Sequence, residues 1–147
     1  MVPIVDLMDM RLVQVGTEDS VQAAAERMAA ADVGSVAVCD GARLAGILTE
    51  RDVLRLAGRR ADLDELNVAD AMTKSVVTVS PEDDVLAAAR LMSERRIRHL
   101  PVVQDGNVLG MVGIRDVLAA LAERLWQTHD EEAHETVRSL LGRAPRR

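Results

Sequence analysis

The stretch Gly46-Ile47-Leu48-Thr49-Glu50-Arg51-Asp52-Val53-Leu54 returns 64 residues later as Gly110-Met111-Val112-Gly113-Ile114-Arg115-Asp116-Val117-Leu118. Each copy joins an apolar strand to the opening turn of a helix. Extended outward, the same shift aligns residues 4–54 with residues 68–118 without a gap, and 17 of those 51 pairs are identical. Agreement of that order is internal duplication, not composition. Two copies and no third argue for a pseudo-twofold pair, because open solenoids generally need three or more units and caps.

Both copies carry the same element signals. Arg11-Leu12-Val13-Gln14-Val15 and Ser75-Val76-Val77-Thr78-Val79 alternate at period two, which predicts a short strand in each. A helix should follow, capped at Ser80 with Pro81 in its first turn in the second copy and at Gly16 in the first. Its buried stripe is read as Val21, Ala24, Ala25 and Met28, repeated by Val85, Ala88, Ala89 and Met92. Two further strands turn at Asp40-Gly41 and at Asp105-Gly106, and a second helix opens at Thr49 and at Gly113.

The fold class is therefore α+β, with two pseudo-twofold-related β-α-β-β-α repeats. Residues 1–58 form the first repeat, 59–66 a polar surface linker, 67–127 the second repeat and 128–147 a helical tail. A copy of about 50 residues has a marginal core, so the two are expected to share one. The tail carries Ala133, Val137, Leu140 and Leu141 at helical spacing and has no counterpart in the first copy. It is expected to fold back on the body, dock a second subunit, or serve as a partner helix.

Composition narrows the function. Phe and Tyr are absent, Trp126 is the one aromatic residue, and 24 acidic against 18 basic side chains leave a net charge of −6. Binding of nucleic acid needs a basic face and usually stacked aromatics, so it is not expected. No apolar run reaches membrane-spanning length, and the opening Met1-Val2-Pro3-Ile4-Val5-Asp6 has no signal-peptide character; a cytosolic setting is expected. Cys39 stands alone in an apolar run, where a buried small hydrophobe outweighs a nucleophile. His129 and His134 lie among acids without metal-ligand spacing, and no metal site is expected.

The run Gly46-Ile47-Leu48-Thr49-Glu50-Arg51-Asp52-Val53, its fainter copy at residues 110–117, and Ile97-Arg98-His99-Leu100-Pro101-Val102-Val103 together resemble a tandem pair of cystathionine-β-synthase (CBS) domains, the Bateman module, of the free-standing bacterial kind. The likeness spans residues 4–121. It implies a regulatory module that holds AMP, ADP, ATP or S-adenosylmethionine in a cleft between the repeats, pairs into a homodimer and modulates a separate effector protein. No cofactor is required.

Carried over residue by residue, the likeness implies one site of Thr49, Asp52, Val76, Val77, Ile97, Arg98 and His99. A weaker site would combine Asp116 with Leu12, Val13, Val33, Gly34 and Ser35. The residue types suit the task. One carboxylate accepts both hydroxyls of a ribose diol, which fits Asp52; Arg98 and His99 offer donors to phosphate; a helix start favours an anion. Without an aromatic ring, adenine would lie among Val76, Val77 and Ile97. Gly113 stands where the first copy has Thr49, hence the expected inequality of the sites.

A second reading stays open at the same residues. Thr-x-x-Asp is close to a capping box, so Thr49 and Asp52 also read as a helix cap, and Arg98 with His99 as a solvated lead-in to a strand. At the level of the whole chain, the alternative is a scaffold with empty clefts acting through its dimer surface or tail. An enzyme is not expected, because no nucleophile with a paired base and no carboxylate pair stands out.

Overall fold

In a computed structural model, residues 1–8, 12–127 and 131–141 are described. The elements run β1 (Gln14–Gly16), α1 (Val21–Ala31), β2 (Ser35–Asp40), β3 (Arg43–Thr49), α2 (Glu50–Gly58), α3 (Val68–Ala71), α4 (Val85–Arg95), β4 (His99–Gln104), β5 (Asn107–Gly113), α5 (Ile114–Gln127) and α6 (Glu131–Leu141). A 3-10 turn at Ile4–Asp6 precedes them. Hydrogen bonds link the strands in the order β1-β2-β3-β5-β4. The class is α+β, as the periodicities predict.

The chain divides into two compact units. The first comprises Met1–Asp9, Thr78–Val102 and Gly110–Arg147; the second comprises Met10–Val77 and Val103–Leu109. Neither coincides with one sequence repeat, since the lead-in segment of each repeat packs in the unit of the other. In the second unit Val68 N–H donates to the Asp19 carbonyl (2.8 Å), Ala69 N–H to Thr17 (3.1 Å), and Val21 N–H to Leu66 (2.9 Å). In the first unit the equivalents are Ile4 to Asp83 (2.8 Å), Val5 to Pro81 (2.9 Å) and Val85 to Val2 (2.9 Å). Every partner is displaced by the repeat length.

The cores obey the same rule. In the second unit Val15, Val21, Ala24, Met28, Val36, Val38, Leu48 and Val68 form one buried cluster. Shifted by the repeat, they become Val79, Val85, Ala88, Met92, Leu100, Val102, Val112 and Ile4, all of them buried in the first unit. Each cluster thus draws on both repeats, with the exchanged Val68 or Ile4 supplying one wall. The linker also departs from the polar surface strap expected of it. Its Leu63 and Leu66 pack against the second unit's cluster, and the Leu63 carbonyl accepts from Gln22 N–H at 2.9 Å.

The starts of the two long helices differ from the sequence expectation, for a local reason. The long helices begin at Val21 and Val85, with Ser20 and Asp84 at the N-cap positions, and not at Gly16 and Ser80. The four residues before each cap form a turn, because the Asp19 and Asp83 carboxylates fold back to accept Gly16 N–H and Ser80 N–H, both at 2.8 Å. Ser20 Oγ then accepts from Ala23 N–H, whereas Asp84 turns its carboxylate to Val2 N–H and faces Arg124.

The expected strand at 75–79 is reduced to one parallel bridge, Val79 with Val102. In the first copy, β1 pairs in parallel with β2, and Ala37 N–H donates to the Val13 carbonyl at 3.2 Å. The residue equivalent to Ala37 is Pro101, which has no N–H to give Val77. The ladder stops for want of a donor.

The hairpin at Asp105-Gly106 has φ of 53° and 81°, the pair of positive values that a two-residue type I′ turn requires. The tail helix α6 packs back against α4 and α5, the first of the three arrangements open to it. Residues 128–130 and 142–147, including His129, lie outside the described residues.

Three outcomes follow from this packing. Ile4 is fully buried only four residues from the start of the chain, so Ile4→Ala should cost about 2–4 kcal/mol in urea unfolding; a loss within experimental error would mean that the lead-in segment is not part of the core. A Cβ on Gly46 would stand 2.7 Å from the Thr73 carbonyl oxygen and 2.5 Å from Met72 Sδ, so Gly46→Ala should lower stability by about 1–3 kcal/mol or more. Cys39 is 6% exposed, and burial pushes its thiol pKa up. Less thiolate forms at neutral pH, so a disulfide reagent should label the native chain at least tenfold more slowly than the urea-unfolded chain.

Candidate functional site

Thr49 ends β3 in extended conformation and caps α2 (φ −112°, ψ 162°). Asp52 N–H donates to Thr49 Oγ1 at 3.3 Å, and Thr49 N–H donates to Asp52 Oδ2 at 2.9 Å. The Thr49 hydroxyl donates to the same Oδ2 at 2.9 Å. This is a complete capping box, so the structural reading of Thr-x-x-Asp is realised. It does not consume the carboxylate. Among the described residues Oδ1 of the half-buried Asp52 accepts no hydrogen bond, and the box holds that oxygen in a set orientation.

The helix start is less open to an anion than free amides would make it. Glu50 N–H donates to the Gly34 carbonyl at 2.9 Å. The first and third helical amides are thus both committed within the chain, which narrows the electrostatic contribution of the α2 N-terminus.

The second copy repeats part of this geometry. Ile114 N–H donates to the Arg98 carbonyl at 2.9 Å, the counterpart of the Glu50 and Gly34 bond. Gly113 has no hydroxyl, so the box cannot form. The Asp116 side chain is exposed, with Oδ2 3.7 Å from the place a Cβ on Gly113 would occupy. Asp116 lines a cavity of about 580 Å3 inside the first unit, between Val2, Asp6 and Leu7 on one side and Ala120 and Glu123 of α5 on the other. The sequence reading missed this cavity because one wall is the exchanged lead-in segment.

The remaining candidates fall in the two units as follows. Val76 and Val77, both half-buried, belong to the second unit with Thr49 and Asp52. Ile97, Arg98 and His99 belong to the first. Ile97 follows Arg96, whose φ of 56° ends α4 in the left-handed region, and Ile97 N–H donates back to Met92 at 3.1 Å. Arg98 presents an exposed side chain, and His99 begins β4 half-buried. Leu12, Val13, Val33, Gly34 and Ser35 all lie in the second unit, whereas Asp116 lies in the first. Val33 follows the left-handed Asp32 (φ 53°) as Ile97 follows Arg96. Ser35 is one of three buried polar side chains among the described residues, at 5% exposure.

Among the described residues no cluster of three or more His, Cys, Asp or Glu side chains is placed to hold a metal ion. No described helix is long and apolar enough to cross a membrane.

Comparison with known proteins bears directly on this geometry. The sequence profile of the CBS domain matches residues 4–59 and again residues 68–123. A CBS domain-containing protein, CBSX3, a mitochondrial protein of Arabidopsis thaliana, is 40% identical over 124 residues, covering 79% of this chain and 57% of the relative. The chain spans between about a third and three-fifths of the length of the first curated relatives it matches.

Among solved structures, the CBS-domain containing protein ATU1752 of Agrobacterium tumefaciens is 34% identical, with a TM-score of 0.72 over 80% of this chain and 98% of that one. The CBS domain protein PAE2072 of Pyrobaculum aerophilum, solved in complex with AMP, is 28% identical, with a TM-score of 0.75 over 83% of this chain and 99% of that one. Two profile matches in tandem, on the two copies that the internal repeat delimits, place the chain in the CBS-domain family as a CBS domain pair.

Proposed function

We propose that this chain is a regulatory module that senses an adenine-containing ligand, AMP, ADP, ATP or S-adenosylmethionine, and modulates a separate effector protein, acting in the cytosol as a homodimer. The observation that carries the reading is the Asp52 carboxylate: one oxygen is locked by Thr49 and the other is left to accept. A fixed acceptor of that kind suits a ribose diol, whose two hydroxyls need an oxygen that does not have to be ordered on binding. The AMP complex of a 28% identical relative supports the ligand class. The role is regulatory, with no chemical step assigned to any residue.

The proposed ligand set is Thr49 and Asp52 for the ribose, Val76, Val77 and Ile97 for the base, and Arg98 and His99 for phosphate. A second, weaker site takes Asp116 with Leu12, Val13, Val33, Gly34 and Ser35. One feature supports the inequality: Gly113 supplies no hydroxyl to hold Asp116.

Calorimetric titration of AMP, ADP, ATP and S-adenosylmethionine tests the reading in wild type, Asp52→Asn and Asp116→Ala. Asparagine keeps an oxygen for Thr49 while turning the other acceptor into a donor, so the cap survives and the diol acceptor is lost. Asp52→Asn should weaken AMP at least tenfold, about 1.4 kcal/mol, and Asp116→Ala should change it less than threefold. A larger loss from Asp116→Ala would reverse the assignment of the sites. Absence of binding by every ligand in wild type would refute sensing and favour the scaffold reading.

A further inference from the structure

Helix α2 packs by one face only. Val53 and Leu56 lie against the second unit's core cluster, yet no residue of the helix is buried outright. On the other side Arg51, Leu54, Arg55, Gly58 and Arg59 follow one another at helical spacing, all exposed, with Leu54 at 72%. Among the described residues, none of these arginines has an ion-pair or side-chain hydrogen-bond partner. The acids of the helix itself, Glu50 and Asp52, stand in its first turn, where Asp52 is committed to Thr49. Beyond its end, Asp62 turns its carboxylate to the amides of Asp64 and Glu65.

The fold does not require this stripe. At the equivalent positions α5 carries Arg115, Leu118, Ala119, Ala122 and Glu123, so the same frame is met with one arginine where α2 has three. In the first unit a further helix, α6, packs against α5, and Leu118 is half-buried. Among the described elements the second unit has no counterpart of α6. Leu54 is left to solvent between unpaired cations.

We propose that this face of α2 docks an acidic amphipathic helix of a partner protein, with carboxylates one helical turn apart beside an apolar side chain that meets Leu54. The inference rests on the reading that the chain modulates a separate protein, and it names the chemistry of the segment held. Guanidinium groups repeated at every fourth residue match carboxylates at the same spacing on a facing helix, in the two-oxygen geometry that arginine favours. Charge argues against other occupants. A second copy joined α2 to α2 about a twofold axis sets the arginine stripe against itself. A long polyanion or an anionic membrane also faces the acidic remainder of a chain of net charge −6, and one leucine gives a bilayer little to bury. A single helix covers the stripe alone.

Fluorescence anisotropy on the full chain tests the face, with a synthetic helical peptide that carries Glu at successive fourth positions flanking Leu. It should bind wild type with a Kd of about 1–100 μM. Arg55→Glu should weaken it at least tenfold, and Leu54→Ala about three- to tenfold. Arg115→Glu, the same change on α5, should leave it within about twofold. Equal losses from Arg115→Glu and Arg55→Glu, or indifference to Leu54→Ala, would overturn the proposal, because binding would then report diffuse charge. Tighter binding of phosphatidylserine vesicles or of a DNA duplex at the same ionic strength would overturn it too. So would a lower oligomeric state of Leu54→Ala in sedimentation, which would seat a second copy on this face. Titrating AMP, ADP, ATP and S-adenosylmethionine into the same protein separates the two readings: peptide binding without any adenine ligand upholds the face and refutes sensing, whereas ligand binding without the peptide overturns the face alone.

Discussion

The structure depends on an exchange of short lead-in segments. Ile4 and Val68 each enter a core belonging to the other repeat, and each is fixed there by an amide donating to the carbonyl of Asp83 or Asp19. Those carbonyls sit in the turns ahead of α4 and α1, so the same contact also sets where the two long helices begin. Burying one branched apolar residue and satisfying a short ladder of backbone groups makes each unit a composite of both repeats. Loss of either segment would open a core that no residue of the repeat itself is placed to fill.

Once the units are assembled, small differences between the copies decide what each can do. Pro101 in place of Ala37 withholds one N–H and leaves residues 76–78 without a ladder. Gly113 in place of Thr49 withholds one hydroxyl, so no full box can hold Asp116, whereas Asp52 is held by a box with one oxygen to spare. Ser93 in place of Ala29 gives α4 a hydroxyl 2.8 Å from Ser139 of the tail helix. Duplication supplied two equal frames, and single donors, hydroxyls and methyl groups separated their roles.

Much of this was legible in the residues. The helix–strand–strand–helix order of both copies, the opening strand of the first, the hairpin at Asp105-Gly106, the box at Thr49 and Asp52 and the buried stripes of α1 and α4, apart from the half-buried Ala25, follow from periodicity and turn chemistry. The errors were local competitions: Asp19 and Asp83 bend the chain into turns that resemble first helical turns, and a proline inside an apolar run reads as strand until its missing donor is counted. Of the candidate site, the residue types and the Asp52 anchor were readable. The committed amides of Glu50 and Asp52, and the cavity against Val2, Asp6 and Leu7, were not.

Residue spacing alone carries the duplication, most of the element types and most of the buried faces, because helical and strand periodicity are written at fixed intervals along one chain. Tertiary structure alone decided which copy each lead-in segment joins, where the tail lies and which polar groups remain available. The physical reason is the repeat itself. Ile4 and Val68 are equivalent, and so are the turns at Asp19 and Asp83, so pairing within a repeat and pairing across repeats satisfy the same local pattern; only the folded path of the chain between them distinguishes the two.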